Sequence, residues 1–308
     1  MRQFLKNIGV FLLPLMLLFP LDSALTRVLW PYLNDGDEVG VWDEILSDRA
    51  GCKIAIYGSS RAWMHINPAI IEDSTALPAY NFGIDGHNFW LQELRHLKVM
   101  EMSTTPDIII HSVDVFTLEK RPKLYNKEQF MPFMLWDFEV YRYTKTYQGY
   151  QMADYFLPLV RYRNLTTYRF NDENLNTIKR NKGFFGLQRT WNGDLEQARS
   201  KWGNYTVQFD QETLVHYNEF LLDCNRRGIK VIMVYTPEYT EGQSFVLNRN
   251  EVIEKFRAFA SAHNIPFLDY SDCRLSHEKD NFFNTSHLNN NGAERFSRML
   301  AHDLKKYI

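Results

Sequence analysis

Short apolar runs, each stopped by glycine or small polar residues, organise both ends of this 308-residue chain. Lys53-Ile-Ala-Ile-Tyr57 ends at Gly58-Ser59-Ser60, the pattern of a buried strand entering a turn. Ala79-Tyr-Asn-Phe82 is a second short strand broken by Gly83 and Gly86, and Ile108-Ile-Ile110 is a third that runs on toward Phe116. Lys230–Tyr235, ended by Pro237, and Pro266–Tyr270 complete the strands. Between them the apolar spacing becomes helical: an amphipathic stretch at Val41–Leu46, then Asn88–Met100, Thr213–Arg227 closed by Gly228, Asn250–His263 and Gly292–Tyr307. Alternation of this kind predicts a parallel sheet covered on both faces, a three-layer αβα fold of flavodoxin-like type. In such a sheet the carboxyl ends of the strands form the binding edge. Gly58–Ser60, Asn81–Gly86, Ser112–Asp114 and Asn284–His287 all fall there.

Two regions break the alternation. From about 118 to 209 the pattern loosens and aromatics crowd in (Trp136, Phe138, Tyr141, Tyr143, Tyr147, Tyr150, Tyr155, Phe156), which predicts a mostly helical insertion. At the start, Arg2 and Lys6 precede the apolar run Ile8–Leu21. The run falls short of the roughly 20 residues that span a bilayer comfortably. Phe4, Ala24 and Leu25 bring it close to a span at the cost of admitting Lys6, Asn7 and Asp22. No small-x-small site follows it, so residues 1–28 read as an uncleaved membrane anchor, with a cleaved signal sequence as the rival. Either reading exports residues 29–308 to the periplasmic or extracellular face.

Composition narrows the picture. With 45% hydrophobic and 23% charged residues the chain can bury a large core, and a net charge of −2 lacks the basic footprint of a nucleic-acid binder. Three cysteines (Cys52, Cys224, Cys273) without a CxxC pair argue against a disulfide framework or a zinc site, leaving at most one disulfide open. No metal or organic cofactor is expected.

The candidate chemistry rests on a serine and a histidine. A serine hydroxyl needs a base to take its proton. Ser60 stands at a strand-to-helix turn where free amides could hold an oxyanion, although Ser59 and Ser60 are equally good helix caps. His287 lies in a loop just before the last helix. Together, GSSRA after the first strand, NFGIDG after the second and HLNNNGA before the last helix resemble SGNH (GDSL-type) hydrolases, nearest the anchored branch that contains DltD-type and alginate O-acetylation proteins. The resemblance covers about 53–116 and 214–308.

It implies Ser60 as nucleophile, His287 as general base, and the amides of Ser60 and Gly83, with Gly86 the other candidate glycine, as oxyanion donors. Two positions depart from the family. Asn284 stands where the family has Asp, so an amide would orient His287 without lending it charge; Asp114 and Asp280 are candidates for the missing charge. His111-Ser-Val-Asp114 replaces the third-block GxND, leaving Ser112 as a substitute donor or simply a polar strand end. Arg61 could hold a carboxylate or orient an acyl donor, or could form an ion pair that fixes the first helical turn. His65, His87, His96, His216, His263, His277 and His302 show no partner spacing. The resemblance implies a serine esterase or O-acyltransferase acting on acyl esters of an envelope glycan, with a membrane acyltransferase as a further partner. The alternative is an envelope binding or scaffold protein that keeps the fold with impaired chemistry, which Asn284 favours.

Overall fold

The computed structural model describes residues 1–165, 178–201 and 204–308, with the side chains of the first helix described mainly from Met16 onward. The start of the apolar run and residues 166–177 and 202–203 of the expected insertion thus lie wholly or partly outside what is described. In chain order the helices are α1 (Arg2–Leu33), α2 (Glu38–Leu46), α3 (Ser60–His65), α4 (Pro68–Thr75), α5 (Phe89–Val99), α6 (Phe138–Thr144), α7 (Met152–Phe156), α8 (Asp194–Lys201), α9 (Gln211–Arg226), α10 (Thr240–Gln243), α11 (Arg249–His263), α12 (Arg274–His277) and α13 (Asn290–Leu304). The chain divides into two compact units, one of residues 1–40 with 121–179 and one of residues 41–120 with 180–308.

The larger unit is built on five parallel strands, β1 (Ile54–Gly58), β2 (Ala79–Asn81), β3 (Ile108–Val113), β4 (Lys230–Tyr235) and β5 (Phe267–Asp269), in the order β2-β1-β3-β4-β5. This is the flavodoxin-like order, whose topological switch lies between β1 and β3. β1 and β3 are buried at every position, as strands covered on both faces must be. α3, α4 and α13 pack together on one side of the sheet, and α5, α9 and α11 on the other. Gly58 pairs with Ser112 across β1 and β3. Its φ of 147° suits glycine alone, and a Cβ there would come within 2.9 Å of both the Ala62 and Ser112 Cβ atoms. The chain can therefore leave β1 sharply and begin α3 at Ser60.

Residues 180–209, grouped with the insertion from the sequence, belong instead to the sheet unit. Phe184 and Leu195 join its core, and backbone hydrogen bonds tie the segment down: Asn81 N–H to Lys182 O (2.9 Å), Asn290 N–H to Leu187 O (2.8 Å) and Asn192 N–H to Phe283 O (2.9 Å). α4 is also absent from the hydrophobic pattern; Asn67 caps it, accepting from Ala69 N–H, and Pro68 opens it.

In the smaller unit α1 continues past residue 28 to Leu33 and packs against residues 121–165. Asp22, Leu29 and Leu33 recur on one face and are buried. Asp22 accepts from both Nη atoms of Arg161 (2.8 and 2.6 Å) and from Leu159 N–H (2.6 Å). Among the described residues no helix is long and apolar enough to cross a membrane. All three cysteines are free, Cys52 and Cys224 deep in the sheet unit, so the one disulfide left open does not form.

Candidate active site

β1 delivers Ser60 and the loop before α13 delivers His287, both partly exposed at the carboxyl edge of the sheet. Ser60 Oγ lies 2.8 Å from His287 Nε2. On the far side of the ring, Nδ1 lies 3.1 Å from Asn284 Oδ1 and 3.1 Å from Ser286 Oγ. Asn284 Oδ1 also accepts the backbone N–H groups of Ser286 (3.0 Å) and His287 (2.8 Å), so a single amide oxygen folds the loop and meets the ring. That arrangement favours the tautomer with its proton on Nδ1, leaving Nε2 to receive one from Ser60. Phe283 stacks on the ring at 5.5 Å. Asn289, two residues beyond His287, caps α13 by accepting Gly292 N–H (3.0 Å), and this anchors the loop to a helix.

Burial, and then the nearby Arg61 charge, push His287 down to about 4. No carboxylate offsets this. Asp114 is turned to the other side of the turn, where Oδ2 accepts from Ser59 Oγ (2.5 Å) and Oδ1 from Phe116 N–H (2.8 Å). Asp280 is exposed, and its backbone carbonyl accepts from Asn289 (2.7 Å). Neither stands behind the His287 ring. Ser59 is the N-cap of α3, its Oγ accepting from Arg61 N–H (3.3 Å), so the Asp114–Ser59 pair pins the turn that carries Ser60.

Arg61 adopts the second of the roles open to it. Its guanidinium is buried against Glu238 (2.8 Å) and the Thr236 carbonyl and lies over the Tyr235 ring at 4.7 Å. Burial pulls the Arg61 pKa down, but Glu238, Tyr235 and Asp114 together outweigh that cost and hold it above its ordinary value.

Gly83, the second oxyanion donor expected from the sequence, has its N–H engaged within the fold. Its N–H is bound to Asn81 Oδ1 at 2.9 Å, while Asn81 Nδ2 donates to the carbonyls of Ala62 and Ile66 at 2.8 Å each. Among the described residues the amides of Ser60 and Gly86 have no acceptor within the fold. The Ser112 hydroxyl is buried without a partner, with its backbone pressed against Gly58. His111 lies between Tyr217 Oη (3.1 Å) and Gln92 Oε1 (3.0 Å), a buried core histidine pushed down to about 3.

Three features escaped the sequence. His65 is buried behind the site: its Nε2 accepts Leu288 N–H (3.0 Å) and its Nδ1 meets Thr236 Oγ1 (3.0 Å), so it holds the chain directly after His287. Asn81 ties β2 to the end of α3. Beside Ser286 opens a largely apolar cavity of about 180 Å³ lined by Val115, Phe116, Tyr205, Glu238, Val246 and Thr285 among others. Phe116 and Tyr205 stack at 5.6 Å and 7° along its wall. Only the density of aromatics hinted at such a surface. No cluster of His, Cys, Asp and Glu able to hold a metal occurs among the described residues.

No protein-family model matches the chain, and no curated protein does. Among solved structures it is similar to an acetyl xylan esterase (13% identity, TM-score 0.41, covering 83% of this chain and 99% of that one). It is also similar to a GDSL-like lipase from Bacteroides thetaiotaomicron (11% identity, TM-score 0.43, covering 88% of this chain and 100% of that one).

Proposed function

We propose that the chain is an SGNH-type serine enzyme that cleaves or transfers acyl esters. One observation carries the reading: the hydroxyl of Ser60 and Nε2 of His287, 227 residues apart, lie 2.8 Å from each other with an acceptor behind Nδ1. In this reading His287 takes the Ser60 proton as Oγ attacks the ester carbonyl, the Ser60 and Gly86 amides hold the oxyanion, and the imidazolium returns its proton to the departing alkoxide. Water or a sugar hydroxyl then accepts the acyl group. The cavity beside Ser286 offers space for the acyl chain or one sugar face. An exported location, an envelope glycan as substrate and a membrane acyltransferase as donor of the acyl group extend the proposal, supported by the N-terminal apolar run and the motif resemblance.

Reaction with a fluorophosphonate probe, followed by peptide mapping, tests the proposal. Labelling at Ser60, lost in Ser60→Ala together with turnover of p-nitrophenyl acetate, is the expected result; turnover that survives Ser60→Ala overturns it. The second reading, a binding or scaffold protein, is favoured by the amide at 284 and by the Arg61 charge beside the base. It predicts no labelling of a folded chain.

A further inference from the structure

The smaller unit presents an apolar face that neither of its own segments covers. On α1, Met16, Leu17, Phe19 and Leu21 are exposed, and on the 121–165 segment Trp136 (59% exposed), Phe138 (70%), Met152 (67%) and Leu157 are exposed as well. These two groups are joined. The Phe19 and Trp136 rings meet edge to face at 5.8 Å, Phe138 packs on Phe156 at 5.8 Å, and Met152 lies one helical turn before Phe156. Asp22 and Arg161 lock the two segments together beneath this face.

The fold holds Trp136 outward at a cost. Its φ of 64° is in the left-handed region, which a bulky residue rarely adopts, and its N–H donates to Tyr155 O (2.9 Å). Its ring Nε1–H donates to Phe156 O at 3.0 Å. The one polar atom of the exposed ring is thus already satisfied, so the ring can enter an apolar phase without losing a hydrogen bond.

We propose that this face seats the protein in the interface of a lipid bilayer. The apolar run Ile8–Leu21 spans 14 residues, about 21 Å as a helix at 1.5 Å per residue, against the roughly 30 Å of a hydrocarbon core. Alone it does not reach across. The exposed Met16, Leu17, Phe19 and Leu21 of α1, joined to Trp136, Phe138, Met152 and Leu157, form a broad apolar surface suited to the bilayer interface. Large aromatics at headgroup depth are what that boundary selects. The inference is independent of the chemistry proposed for Ser60.

The full chain, reconstituted into phosphatidylcholine–phosphatidylglycerol vesicles carrying bromine near the headgroup end of the acyl chains, tests the proposal. The difference between wild type and Trp136→Phe isolates the Trp136 fluorescence. Bromolipid quenching of that component is expected, with protection from aqueous iodide. A second variant, Phe138→Glu with Met152→Glu, changes only exposed positions and is expected to lose the quenching while keeping its near-UV circular dichroism. The proposal is overturned if Trp136 in vesicle-bound protein stays open to iodide and unquenched by bromolipid. Shielding that appears only when a membrane protein is co-reconstituted overturns it equally, in favour of a protein partner.

Discussion

Asn284 Oδ1 sits 3.1 Å from Nδ1 of His287, on the side of the ring opposite Ser60. It orients the ring, and being neutral it brings no full charge to stabilise an imidazolium. A carboxylate in its place would accept the same three N–H groups and add a charge. Asn284→Asp should therefore raise the acid limb of kcat/KM for a generic acetyl ester by about 1 to 3 pH units. It should also increase kcat at pH 7. A pH–rate profile of the two proteins reads both effects; an unmoved acid limb would show that the ring does not titrate as the catalytic base.

The wild-type site should work at unusually low pH. With His287 pushed down to about 4, its ring stays neutral and able to accept a proton well below the usual histidine range near 6.5. The acid limb is expected near pH 4. Stability follows a related course. His96 is pushed down to about 4, His111 to about 3 and His65 well below its ordinary value, in each case chiefly by burial. Because the unfolded chain then binds more protons than the folded one, stability from these groups is complete above about 6.5. It is lost as pH falls through 4 to 3, at about 1.4 kcal/mol per group per pH unit in the window between free and folded values. Thermal unfolding at pH 7.5, 5.5 and 4 would show a falling Tm, and a Tm that holds to pH 4 would contradict the buried neutral state of these rings.

Much of this was legible in the residues, and the exceptions have physical reasons. β1 and β3 announce themselves as uninterrupted apolar runs because both faces of a parallel sheet are covered. Gly58 and the cap at Ser59 mark the turn that carries Ser60, whereas the Asn289 cap that anchors the His287 loop shows only in the structure. Nothing in a sequence tells whether an amide already has an acceptor, so the Asn81 Oδ1–Gly83 N–H bond is visible only in the structure. His65 escaped for a similar reason: its partners are the Leu288 amide and the Thr236 hydroxyl, far away in the chain and not marked by spacing. Residues 180–201 and 204–209 look irregular because Phe184, Leu187, Leu195 and Val207 are buried singly from a largely extended segment that is tied down by backbone hydrogen bonds.

Arg61 and Glu238 form a buried pair at 2.8 Å directly after the candidate nucleophile. Removing one partner leaves the other charge in the core. Glu238→Gln is expected to destabilise the sheet unit by about 3 to 5 kcal/mol in urea unfolding; an apolar replacement of both residues should recover only part of that loss, because Arg249 (3.4 Å) and the Tyr235 hydroxyl (2.8 Å) also lose Glu238. The double replacement also removes the charge that presses on His287, so its acid limb should lie above that of wild type. A small penalty for Glu238→Gln would mean that the pair is hydrated.

The cavity beside Ser286 has a wall that can be altered without touching Ser60 or His287. Tyr205 is pinned there by Tyr205 N–H to Phe245 O and Leu247 N–H to Tyr205 O, both 2.9 Å, and it stacks on Phe116. In the proposed reading a short acetyl ester would react at Ser60 without filling the cavity, whereas a longer acyl chain or an attached sugar would lie against this pair. Tyr205→Ala should leave kcat and KM for p-nitrophenyl acetate unchanged and raise KM for longer or glycan-linked esters by roughly 2- to 13-fold, the equivalent of about 0.5 to 1.5 kcal/mol of aromatic contact. Steady-state kinetics on an ester series separate the outcomes. A uniform loss across the series would indicate a shifted His287 loop, and no change anywhere would exclude the cavity from substrate binding.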